Sequence, residues 1–269
     1  MIRAALAHAA ALIPSDTPRL DAELLMAHAL GIPRNVMLFD RLDSPVPINF
    51  GPLLLRRLNH EPIAYITGIR AFWTIELTVG SGALVPRADS ETLLEAAVAH
   101  FGARGPARIL DLGTGPGTLL LAALDQWPQA AGLGIDASDA ALGYARSNAA
   151  RLGIAAEFRL GDWAVGVEGQ FDLILANPPY IATSEILPEE VRAHEPACAL
   201  FAGADGLDDY RVLAGQIPAR IAPGGMAAIE IGHTQAAAVS ELFAQSGLAV
   251  EIASDLGGRN RAIVLTWLN

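Results

Sequence analysis

The residues with the most chemistry to offer stand together near the middle of the chain, as Asn177-Pro178-Pro179-Tyr180. An asparagine side-chain oxygen and the backbone carbonyl of the next residue are two hydrogen-bond acceptors, and together they can hold both N–H bonds of a planar nitrogen. An amide or adenine-type amino group is a poor nucleophile, because its lone pair is delocalised into the neighbouring π system. Holding its N–H bonds turns the lone pair toward an electrophile and stabilises positive charge as it develops on nitrogen. Proline has a fixed φ and no N–H, so Pro178 and Pro179 stiffen the loop without adding a competing donor. Tyr180 offers a ring to stack on a flat group. No strong base is required, since a proton can leave after the transfer. In an arbitrary sequence these four residues would be only a proline-closed turn; their place at the end of a strand makes the functional reading the better one.

A second constellation precedes them. Asp111-Leu112-Gly113-Thr114-Gly115-Pro116-Gly117 follows an apolar run and opens a helix. Glycines in such a turn adopt conformations closed to other residues and let a ligand approach the backbone. A glycine-rich strand-to-helix turn is a weak signal alone. Here the spacing is G-x-G-x-G, with Thr118 where a dinucleotide fingerprint has its third glycine. Asp111 also stands two residues before the first glycine, where an ammonium is welcome and a pyrophosphate is not. Asp136 ends the next apolar run, 25 residues on (136 − 111), and suits a pair of ribose hydroxyls. Asp162-Trp163 follows the third run with an acceptor for an adenine amino group and an aromatic surface beside the ring. Any one of these acids alone is an ordinary loop carboxylate. Three acids after three successive strands describe a pocket for an adenosine with an amino-acid tail.

Those positions require a particular scaffold. Apolar runs at 107–110, 132–135, 156–160, 171–176, 225–231, 249–252 and 262–267 read as strands, and stretches near 117–126, 138–151, 206–221 and 234–246 as helices. The alternation predicts a largely parallel sheet with helices on both faces, which binds ligands outside the carboxyl ends of its strands. Ahead of it, residues 4–13, 18–30 and 48–59 read as helices, the first an amphipathic helix rather than a leader peptide. Phe72 to Val85 reads as a β-hairpin about Gly80-Ser81-Gly82, followed by a helix from Ser90-Glu91 to about Phe101. The expected division is a helical domain over 1–70, a hairpin linker over 71–86 and the sheet domain over 87–269.

Composition narrows the function classes. With 52% hydrophobic and 17% charged residues the chain can bury a large core and is not a disordered one. A net charge of −11 argues against gripping bare phosphate backbones, so no direct nucleic-acid partner is expected. All 18 basic residues are arginines, which a biased codon usage explains and which removes any lysine Schiff base. Cys198 is the single cysteine, so no intrachain disulfide forms; it reads as a small buried residue, not a nucleophile. No metal-ligand cluster and no membrane-length apolar run stand out, and a cytoplasmic monomer is expected.

Taken together, the motifs resemble those of the HemK-type protein-(glutamine-N5) methyltransferases that act on peptide chain release factors. The likeness runs from Pro62 to Arg261. It includes Pro62-Ile63-Ala64-Tyr65-Ile66-Thr67-Gly68, Phe72, Pro86-Arg87 with Glu91, the glycine turn and Asn177 to Ile181. Glu195-Pro196, Ala199-Leu200, Gly203, Asp205-Gly206-Leu207, Tyr210, Glu230-Ile231-Gly232, Gln235, Asp255 and Arg259 complete it. Pro116 and Ser90 depart slightly from the family's usual residues, and neither removes a contacting group. Arg87 and Glu91 read as a structural ion pair. The resemblance implies a class I (Rossmann-like) methyltransferase fold with a seven-stranded, mostly parallel sheet, a small N-terminal helical domain and a linking hairpin. It implies S-adenosylmethionine as donor, S-adenosylhomocysteine as product and no metal, with the glutamine of a Gly-Gly-Gln loop as acceptor and the helical domain gripping the protein. Donor binding is then expected from Asp111, Gly113, Thr114, Gly115, Pro116, Gly117, Asp136, Asp162, Trp163 and Asn177. Catalysis falls to Asn177, Pro178 and Tyr180, and substrate binding to Asn177, Pro178, Pro179 and Tyr180.

The alternatives are glutamine methylation of a ribosomal protein and adenine-N6 methylation of nucleic acid, since that tetrapeptide also serves flipped-out bases. A binding module that has lost catalysis fits poorly with intact motifs. A nicotinamide-dependent dehydrogenase fits poorly with the glycine spacing.

Overall fold

In the computed structural model, which describes residues 1–268, the chain forms two compact units. The first comprises residues 1–69 with residues 187–195. Its helices are α1 (Ile2–Leu12), α2 (Pro18–Leu30), α3 (Arg34–Asp40), α4 (Phe50–Leu58) and α5 (Ile63–Thr67). Ile2, Leu6 and Ala9 recur at helical spacing on α1 and are fully buried against Leu25, Met26, Met37 and Phe50. Proline opens α2, and Gly31 closes it in a left-handed conformation (φ +65°), its N–H capping the carbonyls of Ala27 and His28. The acids of α2 are buried and paired. Asp21 accepts from Arg57 at 2.8 Å, and Glu23 accepts from Arg19 and Arg34, each at 2.6 Å. Burial, the largest single influence, pushes the Glu23 carboxyl up, but the hydrogen bonds and charges of Arg19 and Arg34 together outweigh it and hold the carboxyl below its usual range. Residues 187–195, which the sequence reading left in the sheet domain, pack here instead. Glu190 pairs with Arg57 at 2.7 Å, and His194 bonds the Asn59 carbonyl at 3.1 Å.

The second unit holds residues 70–186 and 196–269. It opens with a two-stranded hairpin, β1 (Ile69–Phe72) and β2 (Ile75–Thr78), then α6 (Glu91–Phe101). The expected hairpin was centred on Gly80-Ser81-Gly82. Its turn is instead Trp73-Thr74, with Trp73 left-handed at φ +53° and its N–H donated to Glu91 at 3.0 Å. The glycine segment that follows forms no strand, and Gly80 packs against the Tyr144 hydroxyl, where a Cβ would fall 2.4 Å away.

The rest alternates: β3 (Arg108–Leu112), α7 (Thr118–Gln126), β4 (Ala131–Asp136), α8 (Asp139–Leu152), β5 (Glu157–Leu160) and β6 (Phe171–Ala176). After α9 (Glu189–His194, in the first unit) come α10 (Asp208–Gln216), β7 (Ile221–Glu230), α11 (Ala236–Phe243), β8 (Leu248–Ser254) and β9 (Asn260–Trp267). The seven strands are ordered β5-β4-β3-β6-β7-β9-β8. All neighbours are parallel except those of β9, which runs antiparallel to β7 and β8. The central strands are apolar on both faces, as a sheet covered on both sides requires; Leu173 to Ala176 are all fully buried. The chain winds outward from β3 through β4 and β5, then restarts at β6 on the other side. The order therefore reverses between β3 and β6, and that is where such sheets open a crevice. Among the described residues, no helix is long and apolar enough to cross a membrane.

Candidate active site

At the reversal point, Leu112 of β3 is the register partner of Ala176 of β6. The residues just beyond them, Gly113 and Asn177, thus leave the sheet side by side. Both line one cavity of about 410 Å³, within the range of small-molecule sites. Of the expected donor residues, Asp111, Gly113, Thr114, Gly115, Pro116, Asp136, Asp162 and Trp163 line it too, as does Pro179. Gly117, Pro178 and Tyr180 do not. Gly117 instead starts α7 in a left-handed conformation (φ +87°).

Local sequence explains the shape of the glycine turn. The N–H groups of Gly113 and Thr114 both donate to the Ile135 carbonyl, each at 2.9 Å, which folds the turn back over the end of β4. Gly113 needs its missing side chain for a second reason. A Cβ there would lie 3.2 Å from the Trp163 ring, so glycine is what lets that ring lie against the turn. Trp163 is itself left-handed (φ +48°), and its indole N–H donates to Asp209 at 3.2 Å.

The three acids differ in environment. Asp136 accepts Gly115 N–H at 2.7 Å on one oxygen and Ser138 N–H at 2.8 Å on the other. It therefore holds the turn in place, with lone pairs left for a ligand hydroxyl. Asp162 is exposed at the rim. Asp111 is 1% exposed. One of its oxygens accepts from the Thr114 hydroxyl at 2.6 Å and from Leu120 N–H at 3.2 Å; the other, Oδ1, is buried and has no partner among the described residues. Burial pushes the Asp111 carboxyl up to about 7; the Thr114 and Leu120 bonds oppose the rise and Asp136 adds to it. An unpartnered, buried carboxylate oxygen on a residue that lines the cavity asks for a cation or donor from outside the chain.

On the acceptor side, the Asn177 amide nitrogen donates to Ser90 Oγ at 3.2 Å. Among the described residues, no group donates to Asn177 Oδ1 or to the Pro178 carbonyl. Gln235 pins the loop beyond: its amide nitrogen donates to the carbonyls of Tyr180 at 3.0 Å and Gly206 at 3.2 Å, and its oxygen accepts Gly232 N–H at 3.0 Å. Gly206 (φ +72°) is required there, since a Cβ would sit 2.4 Å from the Tyr180 carbonyl. Burial pushes the Tyr180 hydroxyl up to about 12, so it stays neutral and is no base.

Several supporting residues carry no local signal of a role. Asn148, fully buried on α8, bonds both backbone groups of Thr78 (2.7 and 3.0 Å) and the Pro116 carbonyl (3.0 Å), tying the glycine turn to β2. Asp209 and Ser90 act from 46 and 87 residues away in sequence. One expectation is corrected: Cys198 is not buried but exposed, and it lines the cavity. Glu91 accepts the Trp73 backbone N–H on one of its oxygens.

Comparison with known proteins agrees with this geometry. Residues 88–193 match the family described as Methyltransferase small domain, and residues 3–68 match the PrmC N-terminal domain. A release factor glutamine methyltransferase of Rhodospirillum rubrum is 45% identical over 257 residues, covering 93% of this chain and 79% of the relative. That of Caulobacter vibrioides is 41% identical over 258 residues, covering 93% and 89%. The solved structure of a methyltransferase from Pyrococcus furiosus superposes with a TM-score of 0.54 at 18% identity, over 70% of this chain and 87% of that one, a likeness of fold alone. With a crevice at the reversal of a seven-stranded sheet and relatives this close over nearly its whole length, the chain belongs to the release factor glutamine methyltransferase family.

Proposed function

We propose that the cavity binds S-adenosylmethionine and that the loop Asn177–Tyr180 presents to it the side-chain amide of the glutamine in a release factor's Gly-Gly-Gln motif, for methylation at N5. The observation that carries this reading is the adjacency of the glycine turn after β3 and Asn177 after β6 in one cavity.

The residues present fit the donor. The unpartnered Asp111 Oδ1 suits the ammonium of an amino-acid tail, and the open space at Gly115, where a Cβ would meet nothing within 4 Å, admits a ligand against the backbone. Asp136 would hold ribose hydroxyls, with Asp162 and the Trp163 ring on the adenine. When bound, S-adenosylmethionine supplies an electrophilic methyl carbon on a cationic sulfur. Asn177 Oδ1 and the Pro178 carbonyl, both without donors among the described residues, accept the two amide hydrogens of the glutamine and stabilise charge growing on its nitrogen. Tyr180 and the prolines confine the amide plane, and the surplus proton departs to solvent after transfer. The helical unit of residues 1–69 would grip the protein substrate. The enzyme acts as a cytoplasmic monomer in this reading.

Incubation with methyl-labelled donor and, in separate reactions, a release factor, ribosomal proteins and duplex DNA tests the substrate. Label is expected on the release factor. Label on ribosomal protein alone, or on adenine alone, would replace this reading with one of the other two.

A further inference from the structure

Behind Asn177 lies a buried polar chain that ends in a carboxyl group. Ala176 of β6 pairs with Ile229 of β7, so Asn177 and Glu230 are the next residues along neighbouring strands. Ser90, in the turn leading into α6, stands between them: Asn177 Nδ2 donates to Ser90 Oγ at 3.2 Å, and Ser90 Oγ donates to Glu230 Oε2. Ser90 is 2% and Glu230 1% exposed. A glutamate this deep has no purpose in packing that an apolar residue would not serve better. Glu230 does not itself line the cavity.

The order of donors along this chain settles which way Asn177 faces. A hydroxyl has one hydrogen. Ser90 gives its hydrogen to the ionised Glu230, so toward Asn177 its oxygen can only accept. The amide NH₂ must therefore point at Ser90, and Oδ1 is left for the substrate. We propose that Glu230 and Ser90 are positioning residues of the acceptor site, which fix the Asn177 amide so that its oxygen, not its nitrogen, meets the substrate amide. This rests on the acceptor role given above to Asn177.

The chain reverses when Glu230 gains a proton. A neutral carboxyl can donate to Ser90, which frees the serine hydrogen for Asn177 and lets the amide turn its NH₂ toward the substrate, a donor where an acceptor is needed. Burial pushes the Glu230 carboxyl up to about 7, with the Ser90 bond, Arg261 and Arg87 opposing the rise and Asp89 adding to it. Arg261 is itself shared between Asp89 at 2.9 Å and Asp255 at 3.2 Å, and Tyr210 donates its hydroxyl to the Glu230 backbone carbonyl at 2.9 Å. Tyr180, neutral throughout, completes the surroundings.

The test measures kcat against pH with a saturating donor, which removes any titration that affects donor binding alone. The wild-type enzyme should lose about tenfold in kcat from pH 8 to pH 6, as a group titrating near 7 becomes neutral. Glu230→Gln, which cannot titrate, should show a lower kcat without that acidic limb. Ser90→Ala should cost about tenfold or more in kcat with the donor dissociation constant unchanged, and Ser90→Thr, which restores a hydroxyl, should recover most of it. A purely structural role would change the yield or melting temperature of these variants without moving the pH profile. If Glu230→Gln fails to fold, the Ser90→Ala and Ser90→Thr pair decides alone. Wild-type kcat and pH profile in both Ser90→Ala and Glu230→Gln, beside an inactive Asn177→Ala, would overturn the positioning role only. Full activity in Asn177→Ala would overturn the acceptor role and this inference with it.

Discussion

Lowering the pH from 7.5 to 6.0 should weaken donor binding about eightfold, and Asp111 should be the cause. Its carboxyl is buried, one oxygen lacks any partner, and its pKa is pushed up to about 7 in the free protein. The ammonium of the donor, placed beside that oxygen, favours the ionised form, so the free protein holds a proton that the complex gives up. The sign follows directly: affinity is complete above the free-state value of about 7 and declines as pH falls below it. With that value the ionised fraction is about 0.76 at pH 7.5 and about 0.09 at pH 6.0, a ratio of about eight. The donor's own amino group, near 8 in simple amines of this type, remains mostly charged across that window. Titration calorimetry in buffers of different ionisation enthalpy should count about half a proton released per donor bound at pH 7. In Asp111→Asn the affinity should be poor and nearly independent of pH. Equal dissociation constants at the two pH values, or a pH dependence that survives in Asp111→Asn, would refute the assignment.

Asp111→Asn should also stabilise the ligand-free protein at pH 8. The carboxyl is more easily kept neutral in the folded chain than in the unfolded one, so its cost is absent below about 4 and complete above about 7; removing it should gain about 1–3 kcal/mol, or a few °C in Tm. A lower melting temperature for the variant at pH 8 would contradict this. Gln235→Ala should release the Tyr180 carbonyl, lowering kcat about tenfold while leaving the donor dissociation constant unchanged. Turnover equal to wild type would show that the loop holds its shape without that clamp.

What could be read in the sequence was whatever a local signal carries. The acids at 111, 136 and 162 and the loop at 177–180 were legible because each stands at or just beyond the carboxyl end of a strand, and a mainly parallel sheet brings such positions to one edge. The hairpin was misplaced because Gly80-Ser81-Gly82 is a stronger turn signal than Trp73-Thr74; only the tertiary bond from Trp73 to Glu91 shows why the weaker pair turns. Helices α3, α5 and α9, of five to seven residues, are too short to display a period. The family resemblance marked Gln235 and Glu230 as noteworthy without saying why, because their partners lie 55 and 140 residues away. Asn148 sits in an ordinary helical pattern, and nothing near it in sequence announces that it ties a turn to a hairpin. The exposure of Cys198 was illegible for the same reason: composition favours burial of a lone cysteine, and only the fold places it on a cavity rim.

The central claim is that Asn177 holds the acceptor nitrogen rather than the donor. Single-turnover methyl transfer to a release factor by the wild type and by Asn177→Ala, with donor affinity measured on the same preparations, tests it most directly. The account predicts a loss of about 10²-fold or more in transfer rate with donor affinity largely retained. Transfer near the wild-type rate, or a loss that disappears once the donor is raised to saturation, would contradict it.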